Sequence, residues 1–386
     1  MPYRLIEVTE TGTAKAWVEC PCTLYRDDPN WVRPIDAEIA GLFNPSVNLR
    51  FEHGSAIRWI LQDEKGNTVG RTAAFEDEDS RKTNPPAGGM GFFECIDDKE
   101  AAFMLFDAAK GWLQSKGMEA MDGPINFGEK NQFWGLLVDG FTPPIYGMNY
   151  HHRYYRKFFE DYGFRVYYNQ YSYLLDAKKP LPDRVYKIAD YLTKRGGYSF
   201  EHFDRRRLPK FVKAFMEIYN KAWANFDHFK PAEENKVLEM MNKLKPVMDE
   251  HVMWFAFKGE EPAGFFIMLP DINRIFRHLG GKLDLIGKLK FLWYRWKGVR
   301  KIFSLVTGIV PEHQNKGVDA AIVVAAARHI QPLKKYDELE LAWIGDFNPK
   351  MMSMNEAVGA KLYKTHITYR KLFDPNRPFE RAPVLQ

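Results

Sequence analysis

Pro311-Glu312-His313-Gln314-Asn315-Lys316-Gly317-Val318-Asp319 stands between two runs of opposite habit. Before it, Ile302 to Val310 reads as a strand; after it, Ala320-Ala321-Ile322-Val323-Val324-Ala325-Ala326-Ala327 carries a helix expected over Asp319 to Ile330. A strand that turns directly into a helix leaves the first N–H groups of that helix unpaired and points the positive end of its dipole outward. That arrangement suits a phosphate or pyrophosphate. Gly317 permits close approach and Lys316 adds charge.

Working outward from this loop, Tyr198 to Phe203 reads as a strand, and Leu208 to Ala224 and Pro231 to Leu244 as amphipathic helices. His251 to Phe257 and Glu261 to Leu269 form a hairpin around Lys258-Gly259-Glu260. Past the loop come a strand, Leu339 to Trp343, a helix, Pro349 to Val358, and a final strand, Lys361 to Tyr369.

The chain reads this order twice. Gly163-Phe164-Arg165-Val166-Tyr167-Tyr168-Asn169-Gln170-Tyr171-Ser172-Tyr173 aligns with Gly359-Ala360-Lys361-Leu362-Tyr363-Lys364-Thr365-His366-Ile367-Thr368-Tyr369, 196 residues apart. Trp59 and Gly70 recur as Trp254 and Gly264 at offsets of 195 and 194. A period this long marks two copies of a whole domain, not a solenoid. In the first copy the expected elements are a strand at 3–9, helices at 14–26 and 34–44, a hairpin of 56–62 with 67–75, a strand at 90–95, helices at 99–116 and 150–162, and a Tyr-rich last strand. Ala177-Lys178-Lys179-Pro180-Leu181-Pro182 is the linker, dividing the chain into domains 1–177 and 178–386. Each is α+β, helices on a mixed, mostly antiparallel sheet, and the two are expected to form one unit.

A chain of 386 residues accommodates two such domains with a core each. It holds no 18-residue apolar run and no apolar signal core after Met1-Pro2-Tyr3-Arg4, so a cytosolic chain is expected. Cys20, Cys22 and Cys95 cannot all pair, and Cys20-Pro21-Cys22 has neither a redox spacer nor a second ligand pair. His151-His152 lacks ligand spacing, and no metal is expected.

Gln314-x-x-Gly317 after a strand, in this order of elements, resembles the acyl-CoA pyrophosphate loop of the GCN5-related N-acetyltransferase (GNAT) superfamily, whose pattern is [Arg/Gln]-x-x-Gly-x-[Gly/Ala]. Here the last position is Asp319. The resemblance implies two tandem GNAT-like domains and an N-acyltransferase that takes acyl-CoA (or CoA) as co-substrate. It places the cofactor on Val310, Gln314, Asn315, Lys316, Gly317, Val318 and Asp319. The superfamily's leaving-group tyrosine falls at Asn355, and candidate bases are Glu312, His313 and Asp346. Glu312 reads equally as a helix-approach carboxylate, His313 as a surface residue and Asp346 as a turn former, and Asn348 as a helix cap. In the first copy the matching junction, Phe92-Phe93-Glu94-Cys95-Ile96-Asp97-Asp98-Lys99-Glu100, sets Asp97, Asp98 and Glu100 where phosphate would sit, so that domain is expected to have lost the cofactor. Gly123-Pro124-Ile125-Asn126 and Tyr146 to His152 are read as acceptor-pocket lining, or as solvated loops and a packed aromatic face.

Residues 274–301 hold Arg274, Arg277, Lys282, Lys288, Lys290, Arg295, Lys297, Arg300 and Lys301 against Asp284 alone, a net +8 in a chain of net +5. On a helical wheel Leu285, Ile286, Leu289, Leu292, Trp293 and Trp296 form one stripe, with Lys288 and Arg295 on one border and Lys290 and Lys297 on the other. That pattern fits an interfacial helix at an anionic membrane surface, so a peripheral location at the inner membrane face is expected. A helix packed on the sheet with a solvated back, and docking of an acyl carrier protein, are alternatives; nucleic acid is not expected. The resulting expectation is transfer of an acyl group to an amine acceptor, with the amphipathic segment favouring a lipid or sphingoid base, as in bacterial ceramide synthases, which resemble the same superfamily. A Fem-like aminoacyl transferase and a non-catalytic membrane-surface protein are the rival readings.

Overall fold

The computed structural model describes residues 2–130, 132–224 and 231–385. The first half runs β1 (Tyr3–Glu7), α1 (Thr11–Leu24), α2 (Asp36–Gly41), β2 (Gly54–Asp63), β3 (Thr68–Asp77), α3 (Glu78–Lys82) and β4 (Ala87–Cys95). It continues with α4 (Lys99–Ser115), β5 (Ala120–Gly123), β6 (Leu136–Asp139), α5 (Tyr155–Tyr162) and β7 (Arg165–Asp176). The second half runs α6 (Asp183–Lys194), β8 (Tyr198–His202), α7 (Leu208–Ala222), α8 (Glu234–Leu244), β9 (Met253–Lys258), β10 (Glu261–Pro270) and α9 (Asn273–Phe276). It ends with α10 (Leu285–Lys297), β11 (Lys301–Ile309), α11 (Val318–Leu333), β12 (Glu338–Gly345), α12 (Pro349–Ala357) and β13 (Lys361–Leu372).

Every described strand belongs to one 13-stranded sheet, in the order β1-β2-β3-β4-β5-β13-β7-β12-β11-β10-β9-β8, with β6 paired to β13. The two halves exchange their last strands. β7, from the first half, pairs antiparallel with β12 of the second, Glu338 opposite Asp176; β13 pairs with β5 of the first, Leu372 opposite Ala120. β7 and β13 pair with each other at the centre, Thr365 opposite Tyr171. The boundary expected at residue 177 therefore follows a strand that lies in the sheet beside the other half. The repeated Gly163 and Gly359 end the preceding helices at φ 92° and 85°, a left-handed turn that glycine adopts without a Cβ penalty.

Both faces of the sheet are covered, so central strands read as nearly continuous apolar runs. In β10, Phe266 and Met268 pack toward α6 and α11, while Phe265, Ile267 and Leu269 pack toward α7. α4 lays Ala102, Leu105, Phe106, Ala109 and Leu113 on the first half.

Three differences from the sequence reading have physical causes. The helix expected from residue 150 begins at Tyr155, because Tyr146 to His152 packs as irregular chain; Tyr150 donates to Asp28 Oδ2 (2.8 Å) and His151 Nδ1 accepts from the Leu137 N–H (3.1 Å). The helix expected over 34–44 is confined to Asp36–Gly41. α6 directly follows the linker and was missed, although Val185, Ala189 and Leu192 bury at helical spacing.

Candidate functional site

The loop from Pro311 to Gly317 forms a 3-10 turn, Pro311–His313, followed by a tight turn into α11. Asn315 (φ 58°) and Gly317 (φ 81°) are both left-handed, a backbone habit that gathers N–H groups into an anion-holding concavity. α6 forms the facing wall. A Cβ at position 317 would lie 2.6 Å from Ile188 Cγ2, and an open hollow of about 460 Å³ is lined by Arg184, Lys187, Ile188, Tyr191 and Lys316. Three cations thus line the hollow beside the start of α11. Asp319 works against them locally, since its Oδ1 accepts the Ala320 N–H at 2.8 Å and occupies one donor of the first turn.

Beside the loop the sheet opens. β11 and β12 are parallel but pair over only three positions, Lys301 to Phe303 with Glu338 to Glu340. Beyond them β11 pairs with β10 alone and β12 with β7 alone. The result is a wedge with two strand edges facing each other, bridged by Ser304 Oγ accepting the Ala342 N–H (2.8 Å). Leu305, Val306 and Trp343 are half-buried along it.

A buried charge cluster sits at the apex. Glu340 is fully buried, with Lys364 Nζ 2.8 Å from its Oε1 and Lys301 Nζ 2.6 Å from its Oε2. Despite the desolvation cost, the two ammonium groups hold the Glu340 carboxyl below its ordinary range, while burial pulls Lys364 down. Asp271, also buried, is pushed up to about 6 by burial. Sequence reasoning missed this cluster; Lys301, Glu340 and Lys364 come from three different strands, β11, β12 and β13, so no local pattern marks it.

The first half has the same splay, but it is filled. β4 and β5 pair over Ala87 to Gly89 with Ala120 to Asp122, and then the chain turns back and the Ile125 N–H donates to the Met90 carbonyl (2.9 Å). Asp98 caps α4 through the Ala101 N–H (3.0 Å), so the helix end matching the loop is already occupied by a carboxylate. Ile125, Asn126, Tyr150 and His151 are buried, the packed aromatic alternative of the sequence reading. Glu94 lies buried between the hydroxyls of Tyr25 (2.7 Å) and Tyr155 (3.0 Å), near Arg71 (3.7 Å).

The candidate residues are brought together only in part. Val310 is buried, its N–H donating to the Ala263 carbonyl. Gln314 Nε2 donates to the Ile309 carbonyl (3.0 Å). Glu312 is exposed. His313 is buried, not a surface residue; its Nδ1 pairs with the Tyr198 hydroxyl (2.9 Å), and burial lowers its pKa. Asp346 is tied to Asn169 Nδ2 (2.8 Å) and to Arg381. Asn348 caps α12 through the Met351 N–H. Asn355 is buried, and its Nδ2 has no hydrogen-bond partner among the described residues.

α10 rests on the body through Gly287, Phe291 and Tyr294, the last stacked on His278 (3.9 Å between centroids). The opposite side carries the apolar stripe: Leu285, Ile286, Leu289, Leu292, Trp293 and Trp296 are between 54 % and 77 % exposed. Packing of the stripe against the sheet is thereby overturned. Lys288, Lys290, Arg295 and Lys297 have no carboxylate partner among the described residues, whereas Lys301 and Arg300 are paired with Glu340 and Asp337. Among the described residues no helix is long and apolar enough to cross a membrane.

No protein-family model matches the chain. It is 30 % identical to the bacterial ceramide synthase of Caulobacter vibrioides over 95 % of its own length and 97 % of that protein's, and 29 % identical to Protein YghO of Escherichia coli over 92 % of each. A solved tandem GNAT protein from the clavulanic acid biosynthesis pathway shares the fold at a TM-score of 0.53 and 10 % identity, covering 97 % of this chain and 100 % of that one. A tandem GNAT fold along its full length, joined to identity with a curated protein over nearly all of both sequences, establishes that the chain belongs to the bacterial ceramide synthase family.

Proposed function

We propose that the chain transfers an acyl group from an acyl thioester, acyl-CoA or acyl carrier protein, to the amine of a long-chain lipid-like acceptor of the sphingoid-base type. The observation that carries this reading is the open β11–β12 wedge leading from a cation-ringed helix start, in a chain related to a protein named for ceramide synthesis. Gln314 to Asp319, with Arg184 and Lys187, would hold the phosphates, and the wedge's free strand edges would pair with the amides of the thioester's arm. The amine nitrogen attacks the thioester carbonyl, the C–N bond forms as the C–S bond breaks, and the proton lost by the amine is taken up at the departing thiolate. Asn355 Nδ2, buried and without a hydrogen-bond partner among the described residues, would donate to that thiolate, and Glu312 is the solvent-facing carboxylate of the loop.

α10 stands at the opposite end of β11 from the loop, about 26 Å away for eight steps along the strand. Its role in this reading is to hold the protein at an anionic lipid surface where such an acceptor resides. The test is incubation of purified full chain with acyl-CoA of graded lengths and a sphingoid base, with mass spectrometry of N-acyl product. Absence of product with every donor, including acyl carrier protein, refutes the reading.

A further inference from the structure

Three histidines from three separate elements converge at the outer edge of the second half. His202 ends β8, His251 lies in the 3-10 turn Glu250–Val252 before β9, and His329 is on α11. One ring nitrogen of each lies within 4.8 Å of the other two. His251 Nδ1 and His329 Nε2 are 2.9 Å apart, and the ring centroids are separated by 4.7 to 5.5 Å. His202 Nδ1 is 2.8 Å from the Phe203 carbonyl oxygen. A carbonyl only accepts, so Nδ1 carries the proton and Nε2 keeps its lone pair. A backbone acceptor that fixes the tautomer in this way is the usual support of a metal-bound imidazole.

We propose that His202, His251 and His329 bind one divalent transition-metal ion of the zinc class through their ring nitrogens, clasping edge strand β8 and the turn before β9 to helix α11. This departs from the expectation of no metal, which was read from local spacing alone. Imidazole donors select zinc, copper or nickel over magnesium and calcium. Bonds of about 2.0–2.1 Å in a tetrahedral arrangement put ligand nitrogens roughly 3.4 Å apart, so the 2.9 Å pair opens by about half an ångström and the third ring closes in. His251 also lines a cavity of about 500 Å³ with Asp249, Glu250, Lys335 and Tyr336, from which water can complete a four-coordinate set. His329 lies eleven residues beyond Val318, about 16 Å along α11, so the ion would brace the helix and not touch the reacting atoms.

The experiment uses the full chain, stripped by chelator dialysis and titrated with Co(II) and then Zn(II). The expected result is one equivalent of Co(II) giving the d–d bands of a four-coordinate site, displacement by Zn(II), and a melting temperature raised by several degrees with zinc. His251→Gln and His329→Gln should each weaken binding at least tenfold. If either variant fails to fold, X-ray absorption at the zinc edge of the wild-type chain decides, with imidazole scattering expected. No band and no thermal shift at millimolar metal, wild-type affinity in both variants, or sulfur scattering from the cysteines would overturn the proposal.

Discussion

The Ile125 carbonyl oxygen lies 1.6 Å from where a Cβ on Gly91 would stand. This contact closes in the first half the wedge that stays open in the second, where β11 and β12 part after Phe303 and Glu340. Gly91→Ala should therefore cost more than about 2 kcal/mol by driving the chain after β5 off β4. Denaturant unfolding measures it, and a near-neutral result would mean the closure is not tight.

Cofactor binding is expected in the second half alone. Because the halves exchange their last strands, the test uses point variants in the full chain instead of separated halves. Gly317→Glu sets a side chain against Ile188, strains a left-handed position and adds a negative charge beside Lys316, and should abolish acyl-CoA binding by calorimetry. Asp98→Ala should leave it unchanged; a loss there would place the site in the first half.

One cooperative melt follows from the strand exchange, since β7 and β13 cannot leave either half without stripping a neighbour from both. Calorimetry showing two well-separated transitions would contradict it.

Trp293→Ala with Trp296→Ala should weaken vesicle binding while leaving thermal stability nearly unchanged, because both rings are more than half exposed. Reversing Lys288, Lys290, Arg295 and Lys297 should cost several kcal/mol of affinity for anionic vesicles, at about 1 kcal/mol each, and remove its salt dependence. Binding that ignores these changes would detach α10 from the membrane reading without touching the acyltransferase reading.

Two buried groups should tilt stability with pH in opposite directions. Burial pushes Glu94 up from its ordinary 4.5 to about 7; the folded state then holds a proton the unfolded chain releases, so this contribution is full below about pH 4.5 and is lost as pH rises through 7. Burial pulls His366 from 6.5 down to about 4; its contribution is present above pH 6.5 and lost as pH falls through about 4. Denaturation of Glu94→Gln and His366→Gln across this range should each remove one slope, up to about 1.4 kcal/mol per pH unit. Slopes that match the wild type in both variants would refute the assignment.

Glu340→Gln leaves Lys301 and Lys364 buried against a neutral amide, at an expected cost of about 3–5 kcal/mol. Urea midpoints check this value.

The repeat, the hairpins and the strand–loop–helix junction are legible in the residues alone. Those rest on local rules: alternation, turn glycines and the unpaired N–H groups of a helix start are written within a few neighbouring residues. So is the amphipathic stripe of α10, but not which side of that helix faces water, because periodicity fixes an angle and not a partner. The folded chain alone shows that β7 and β13 change sides, that Ile125 fills one wedge, that Arg184 and Lys187 join Lys316, and that His202, His251 and His329 meet. Each of these joins residues far apart in the chain, and such contacts are selected by packing of the whole sheet, for which no local pattern in the sequence stands proxy.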